Sequence, residues 1–79
     1  MQLLSELEKV RSEAIELKAD VAYPVEFKSA DDTAANAKNK YEAGNFASAQ
    51  EQSQKAITQY RTLINQMRIA ELKAKIDKH

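Results

Sequence analysis

The chain contains a single glycine among its 79 residues, within the stretch 41–49. Helix-favouring residues precede and follow this stretch, so the chain can turn here between two helices. Gly44 accepts the left-handed backbone that ends a helix at no steric cost. Asn45 then offers a side-chain oxygen that caps the N–H groups of the next helix. We therefore predict a tight corner between two antiparallel helices, formed by Tyr41, Gly44, Asn45, Phe46 and Ala49.

The composition favours an all-α fold in a single domain that spans residues 1–79. One glycine and one proline leave few places for turns, and alanine, glutamate, lysine, glutamine and leucine are abundant. The chain has no cysteine, and its one histidine is the last residue, His79. Neither a disulfide nor a structural zinc site is compatible with these residues. We expect no metal and no cofactor.

The charges of the chain are balanced and interspersed. The chain has twelve lysine and arginine residues and twelve aspartate and glutamate residues, so its formal net charge is zero. This balance argues against nucleic acid as a partner. No apolar run approaches the roughly 20 residues that cross a bilayer, so we expect no transmembrane segment.

Apolar residues recur at helical spacing through three stretches of the chain. In the first, about 1–21, the 4-3-4-3-4 spacing predicts one amphipathic helix, and Pro24 favours a new start because proline suits a first helical turn. The second helix is predicted at about 24–43 and the third at about 46–77. The apolar seam of the first helix consists of Leu3, Leu7, Val10, Ala14, Leu17 and Val21.

The simplest assembly of these helices is an antiparallel, up-down-up three-helix bundle. The third helix would extend roughly 48 Å, against roughly 30 Å for each of the others, so we expect its end to overhang. The apolar residues near that end spread over more than one face, and such a helix favours two neighbours. The predicted interface consists of Ile64, Met67, Ile69, Leu72 and Ile76.

The sequence offers no constellation that indicates catalysis. Asp31 and Asp32 are adjacent, and adjacent helical residues do not face the same way, so we interpret them as charges that favour the N-terminal end of a helix. The serines have no internal histidine to activate them, and there is no glycine-rich phosphate loop. We expect no catalytic residue and no enzymatic activity.

Small residues before the corner, an aromatic residue at its edge and alanines after it form a recurring pattern. This pattern resembles a tetratricopeptide hairpin. Ser53 stands where that repeat has an aromatic residue, and the pattern occurs only once, so no stacked superhelix is implied. The residues that carry the resemblance are Ala34, Ala37, Tyr41, Gly44, Asn45, Phe46, Ala49 and Ala56.

A second resemblance covers residues 5–65. A Tyr-Pro linker, an Ala-Asp pair followed by alanine, and the Gly-Asn-Phe corner are similar to a short all-helical domain of unknown function in bacterial cell-envelope lipoproteins. The resemblance implies a non-catalytic module of the envelope or periplasm and supplies no active site. Its residues are Tyr23, Pro24, Glu26, Ala30, Asp31, Ala34, Gly44, Asn45, Phe46, Ala49 and Ala56.

These observations predict a module for protein–protein interaction or assembly within a larger bacterial envelope protein. The C-terminal helix would bind a partner protein or a second copy of the chain. Two alternatives stay open. One is a peptide- or glycan-binding module that uses a groove near Tyr23 and Phe27, and the other is a passive structural spacer.

Overall fold

Four helices make up most of the chain in the computed structural model, which describes residues 2–77. They are α1 (Gln2–Glu16), α2 (Ala19–Ala22), α3 (Pro24–Glu42) and α4 (Phe46–Asp77). No strand occurs within residues 2–77, and the all-α fold class is confirmed. Met1, where the first helix was predicted to begin, and His79 lie outside the described residues.

The corner between α3 and α4 forms around Gly44. Its φ is +82°, in the left-handed region that glycine adopts without strain. The N–H of Gly44 donates to the Tyr41 carbonyl at 3.0 Å, and the N–H of Asn45 donates to the Lys40 carbonyl at 2.8 Å. This pair of bonds is the Schellman arrangement, which satisfies the last carbonyls of a helix. The rings of Tyr41 and Phe46 meet edge to face across the corner, with centroids 5.4 Å apart.

The first corner differs from the sequence expectation, because the helix predicted at about 1–21 is interrupted. Helix α1 ends at Glu16, and Lys18 takes a left-handed backbone with φ 63°. The single turn α2 follows, and Tyr23 leads into Pro24 at the first position of α3. A straight helix to residue 21 would leave two residues to reverse the chain, whereas this break spreads the reversal over residues 17–23. Residues 2–77 therefore form four helices rather than the three predicted.

Helix α4 is the element on which the others pack. Both α3 and α1 lie against it, with α3 in the more extensive contact. Arg61 bonds Glu6 and Arg68 bonds Glu13, so α1 and α4 run in the same direction. Because 32 residues of helix extend about 48 Å, α4 sets the long dimension of the molecule, which measures 54 × 22 × 16 Å.

The core lies along one face of α4, between α1 and α3. Alanines dominate the buried face of α3, which lets its backbone approach α4 closely, and larger side chains fill the space beside α1. Leu17 is only half-buried and Val21 is exposed, since the helix that would have carried them inward ends at Glu16. The core cluster consists of Leu7, Val10, Ala14, Ala19, Phe27, Ala30, Ala34, Ala56, Ile57, Tyr60, Leu63 and Ile64.

Candidate interaction surface at the end of helix α4

A polar cluster ties the three long helices together near their middle. Arg11 of α1 donates two hydrogen bonds to the Asp31 carboxylate of α3, at 2.9 and 3.2 Å. The Tyr60 hydroxyl of α4 donates to the same carboxylate. The Arg11 guanidinium also lies 5.4 Å from the centroid of the Phe27 ring, and that ring packs on Tyr60 at 5.5 Å. One carboxylate thus receives donors from both neighbouring helices.

The surroundings of this cluster shift the acid–base equilibria of its members. Burial by itself raises the pKa of Asp31, but the hydrogen bonds from Arg11 and Tyr60 outweigh it, and the net pKa is lowered. Burial, followed by the hydrogen bond to Asp31, raises the pKa of Tyr60 well above its ordinary value. The hydrogen bond to Asp31 raises the pKa of Arg11. At neutral pH the cluster therefore holds a charged Arg–Asp pair beside a neutral tyrosine.

This arrangement corrects the interpretation of Asp31 as a charge at a helix N-terminus. Helix α3 begins at Pro24, so Asp31 lies about two turns into it and is held by partners on other helices. Asp32, its neighbour, is exposed and points elsewhere. The Asp31 carboxylate accepts hydrogen bonds from Arg11 and Tyr60, so it connects α3 to α1 and α4. This pairing could not be predicted from the sequence, because Arg11, Asp31 and Tyr60 are far apart along the chain.

The end of α4 extends past every other helix. The last side-chain bond from α1 reaches Arg68, and every residue from Ile69 to Ile76 is exposed. Within this overhang Ile69, Leu72 and Ile76 are 51%, 58% and 68% exposed. Their 3-4 spacing places them on one stripe of the helix. We name Ile69, Leu72 and Ile76 the outer stripe.

The outer stripe faces away from the core. At about 100° per residue, it is centred roughly 150° around α4 from the buried residues, which include Tyr60 and Leu63. Before the overhang, the same outer face carries exposed polar residues such as Thr58, Thr62 and Asn65. The apolar side of α4 therefore changes from the inner face to the outer face near Arg68. Even if α1 or α3 extended further along the core, neither helix would cover the outer stripe.

The structure divides the five residues of the predicted interface between these two faces. Ile64 is 4% exposed and belongs to the core, and Met67 is half-buried against it. The prediction that Ile64 contributes to an exposed interface is therefore corrected. Helix α1 runs alongside α4 as far as Arg68 and covers this position. Ile69, Leu72 and Ile76 are the predicted residues that stay open to a partner.

Other exposed apolar side chains lie at the same end of the molecule. Ile15 comes from the end of α1, Val21 from α2 and Val25 from the start of α3, and they are exposed to different degrees. The apolar spacing predicts Val21 on a buried seam and indicates no surface role for Ile15 or Val25. The exposure of Val21 follows from the break at Lys18, which the apolar pattern does not reveal.

Basic residues flank the outer stripe. Arg68 and Lys75 lie on one side of it and Lys73 on the other, and all three are exposed. Arg68 also bonds Glu13, with both side chains partly open to solvent. Glu71 lies further around the helix, on the side towards the core face. The apolar stripe thus has positive charge along both of its edges.

The groove predicted near Tyr23 and Phe27 contains the first residue and not the second. Phe27 is buried under Arg11 and against Tyr60, so it is not available to a ligand. A shallow groove does lie between α3 and α4 beside Tyr23. Gln59 lines it, and the side-chain oxygen of this residue is buried and has no hydrogen-bond partner among the described residues. The groove is lined by Tyr23, Val25, Glu26, Ser29, Gln59, Thr62, Leu63 and Gln66.

Within residues 2–77, no three histidine, cysteine, aspartate or glutamate side chains come together in a way that would hold a metal ion. None of the helices in this range combines the length and the apolar character needed to span a bilayer.

Comparison with known proteins found no match to a family model, to a curated protein or to a solved structure. The resemblances to the tetratricopeptide hairpin and to the envelope lipoprotein domain therefore stay predictions from residues 5–65.

Proposed function

We propose that this chain is a non-catalytic interaction module that binds a helix through the outer stripe of α4. The long helices α1, α3 and α4 would act as an up-down-up, tetratricopeptide-like bundle that holds the stripe away from the core. The observation that carries the proposal is the exposure of Ile69, Leu72 and Ile76 on the face opposite the packed one. Exposed apolar surface of this kind is typical of interfaces.

The energetics of the stripe favour association with one further helix. Each isoleucine or leucine that a partner covers contributes roughly 1.5–3 kcal/mol before the entropic cost of association. Three such residues give a weak contact by themselves. The resemblance to envelope lipoprotein domains supports placing this module in a bacterial envelope protein, where neighbouring chains would supply the partner helix.

Association through the stripe is tested with the protein alone and with a synthetic helix. We expect sedimentation equilibrium to report any association between copies of the chain. On addition of an amphipathic helical peptide, we expect nuclear magnetic resonance shifts at residues 66–77. Leu72→Asp places a charge in the stripe and is expected to abolish that signal. Phe46→Asp is the matched control, because Phe46 is also 58% exposed but lies at the opposite end of the molecule.

The proposal is contradicted if neither a second copy nor an amphipathic peptide produces a signal that Leu72→Asp removes. A stripe-independent association, equal in the wild type and in Leu72→Asp, would also contradict it. A passive spacer would be expected to remain unchanged in both arms of the experiment.

The groove beside Tyr23 supports a second candidate, a peptide- or glycan-binding module. The unpartnered Gln59 oxygen is the observation that favours it, because a buried acceptor without a donor costs about 1–3 kcal/mol. A rotation of the Gln59 side chain into the groove would let a ligand donor relieve that cost. Titration with peptidoglycan fragments and extended peptides would move the resonances of Tyr23 and the Gln59 amide if this function is correct. Shifts confined to residues 66–77 would contradict it.

A further inference from the structure

The outer stripe has the register of a coiled-coil seam. With Ile69 and Ile76 at positions a of a heptad and Leu72 at position d, the spacing is a-d-a. This assignment places Arg68 and Lys75 at position g and Lys73 at position e. The e and g residues flank a coiled-coil seam and contact the partner helix, so they decide which helices pair.

A second copy of the chain is a poor partner for this seam. In a parallel pair, the g residue of one helix faces the e residue of the next heptad in the other, which would place Arg68 against Lys73 of the second copy. In an antiparallel pair, g faces g and e faces e, so Arg68, Lys73 and Lys75 would again meet basic or neutral residues. Like charges in these positions oppose pairing in both orientations.

We infer that the stripe docks an amphipathic helix of a different chain, with apolar residues at a and d and with glutamate or aspartate at e and g. This inference rests on the proposed function and specifies the chemistry of its partner. Acidic flanks would face Lys73 and Lys75, and also Arg68, whose guanidinium already bonds Glu13 of α1. The two lysines would therefore contribute most of the attraction. The partner is thus selected by charge as well as by apolar burial.

The width of the stripe favours a helix over a lipid surface. Helices that lie in a membrane interface have a broad apolar face that often includes tryptophan or phenylalanine. The outer stripe covers about 60° of the α4 surface, which is the width of an a/d seam, and it contains only Ile69, Leu72 and Ile76. An anionic vesicle serves as a third arm of the test.

The test uses two synthetic three-heptad helices that differ only in their flanks. Both carry isoleucine at a and leucine at d; one has glutamate at every e and g position, and the other has lysine. Titrated into the isotope-labelled protein at low salt, the glutamate helix is expected to bind at residues 66–77 about tenfold more tightly than the lysine helix. Salt at about 0.5 M should remove most of this preference, because it screens exposed charges.

A charge-reversed variant checks that the flanks of the stripe cause the preference. Lys73→Glu with Lys75→Glu is expected to reverse the preference, so that the lysine helix binds more tightly. Lys40→Glu with Lys55→Glu changes the net charge equally at the opposite end of the molecule, where both lysines are exposed. This control variant should keep the preference for the glutamate helix.

The outcomes separate the inference from the proposed function. Dimerisation of the wild type that Leu72→Asp abolishes, or equal binding of the two helices at the stripe, would overturn the inference and leave the proposed function standing. Binding to vesicles of anionic phospholipid with no binding to either helix would overturn both. Failure of all three arms, with a monomeric protein at every concentration, would overturn both as well.

Discussion

Helix α4 has two halves that share one backbone and differ in what surrounds them. From Ala49 to Ile64 it buries a face between α1 and α3, and its outer face is polar. From Ile69 to Ile76 nothing covers it within the described chain, and its outer face is apolar. The first half stabilises the domain, and the second half contributes surface. The difference shows that one uninterrupted helix can serve the core and an interface when its apolar face changes side between them.

The change of side explains why the overhang is not simply an extension of the core. If the buried face of α4 had stayed apolar past Arg68, its residues there would pack against the same helices as Tyr60 and Leu63. The inner face of the overhang instead carries Ala70, Glu71 and Ala74, and its large apolar residues point the other way. The overhang is therefore matched to a partner that approaches from outside the bundle.

The largest expected effect comes from a matched pair of leucines, one in each half. Leu63 is 3% exposed, and Leu63→Ala is expected to lower the free energy of unfolding by about 2–4 kcal/mol, because it leaves a cavity in the core. Leu72→Ala removes the same atoms from an exposed position and should change it by less than about 0.5 kcal/mol. Urea unfolding followed by circular dichroism measures both. A similar loss in the two variants would mean that the halves are equally packed.

The next largest loss of stability is expected in the packed half, on removal of one hydrogen bond from its polar cluster. Tyr60→Phe keeps the ring against Phe27 and removes the hydroxyl that donates to Asp31. We expect a loss of about 1–2 kcal/mol, since hydrogen bonds to charged groups are among the stronger ones. Tyr41→Phe is the control, because Tyr41 lies at the exposed corner. Equal losses in the two variants would contradict a special role for the bond to Asp31.

The same cluster makes the stability of the protein depend on pH in a stated direction. The pKa of Asp31 is lowered in the folded state, so its contribution is present above the ordinary value near 4 and is lost as pH falls below it. The pKa of Tyr60 is raised, so its contribution is present below about pH 10 and is lost as pH rises further. Tyr60→Phe should remove the alkaline loss and weaken the acid one. Unfolding measured at several pH values compares it with Tyr41→Phe.

The sequence allowed the packed half and the corner to be predicted, because both depend on residue types. Periodic apolar residues indicated the long helical stretches, and the single glycine indicated the reversal at Gly44, whose φ is +82°. Length alone indicated that the last helix would extend past its neighbours. These features depend on residue types that are close together in the chain, so a single sequence is enough to predict them.

The parts that could not be predicted depend on contacts between distant residues. The heptad seam continues through Leu17 and Val21, so its pattern gives no reason to end α1 at Glu16. A lysine at φ 63° is equally invisible, since lysine rarely takes that conformation. Tyr60 lies on the buried face of α4, and apolar periodicity does not indicate that its hydroxyl meets Asp31, 29 residues away.

A smaller effect of opposite sign is expected at Ser53 in the packed half. Its side chain is fully buried, and its hydroxyl oxygen has no hydrogen-bond partner among the described residues. Ser53→Ala should raise the free energy of unfolding by up to about 1 kcal/mol, because it removes an unpaired buried polar group. Ser12→Ala, at an exposed helical site, measures the gain from helix propensity alone. A gain at Ser53 no larger than at Ser12 would count against the unpaired hydroxyl.

Only a small effect on stability is expected when the second half is removed altogether. A chain that ends after Arg68 keeps the core and the bond from Arg68 to Glu13, and the described residues that it loses lie outside the core cluster. Its free energy of unfolding should change by less than about 1 kcal/mol, while binding of the glutamate helix should disappear. Hydrogen exchange in the full chain gives the complementary result, with fast exchange at residues 70–76 and slow exchange at residues 56–64. If truncation unfolds the protein, or if both segments exchange at the same slow rate, the overhang belongs to the core and the division of α4 into two halves is wrong.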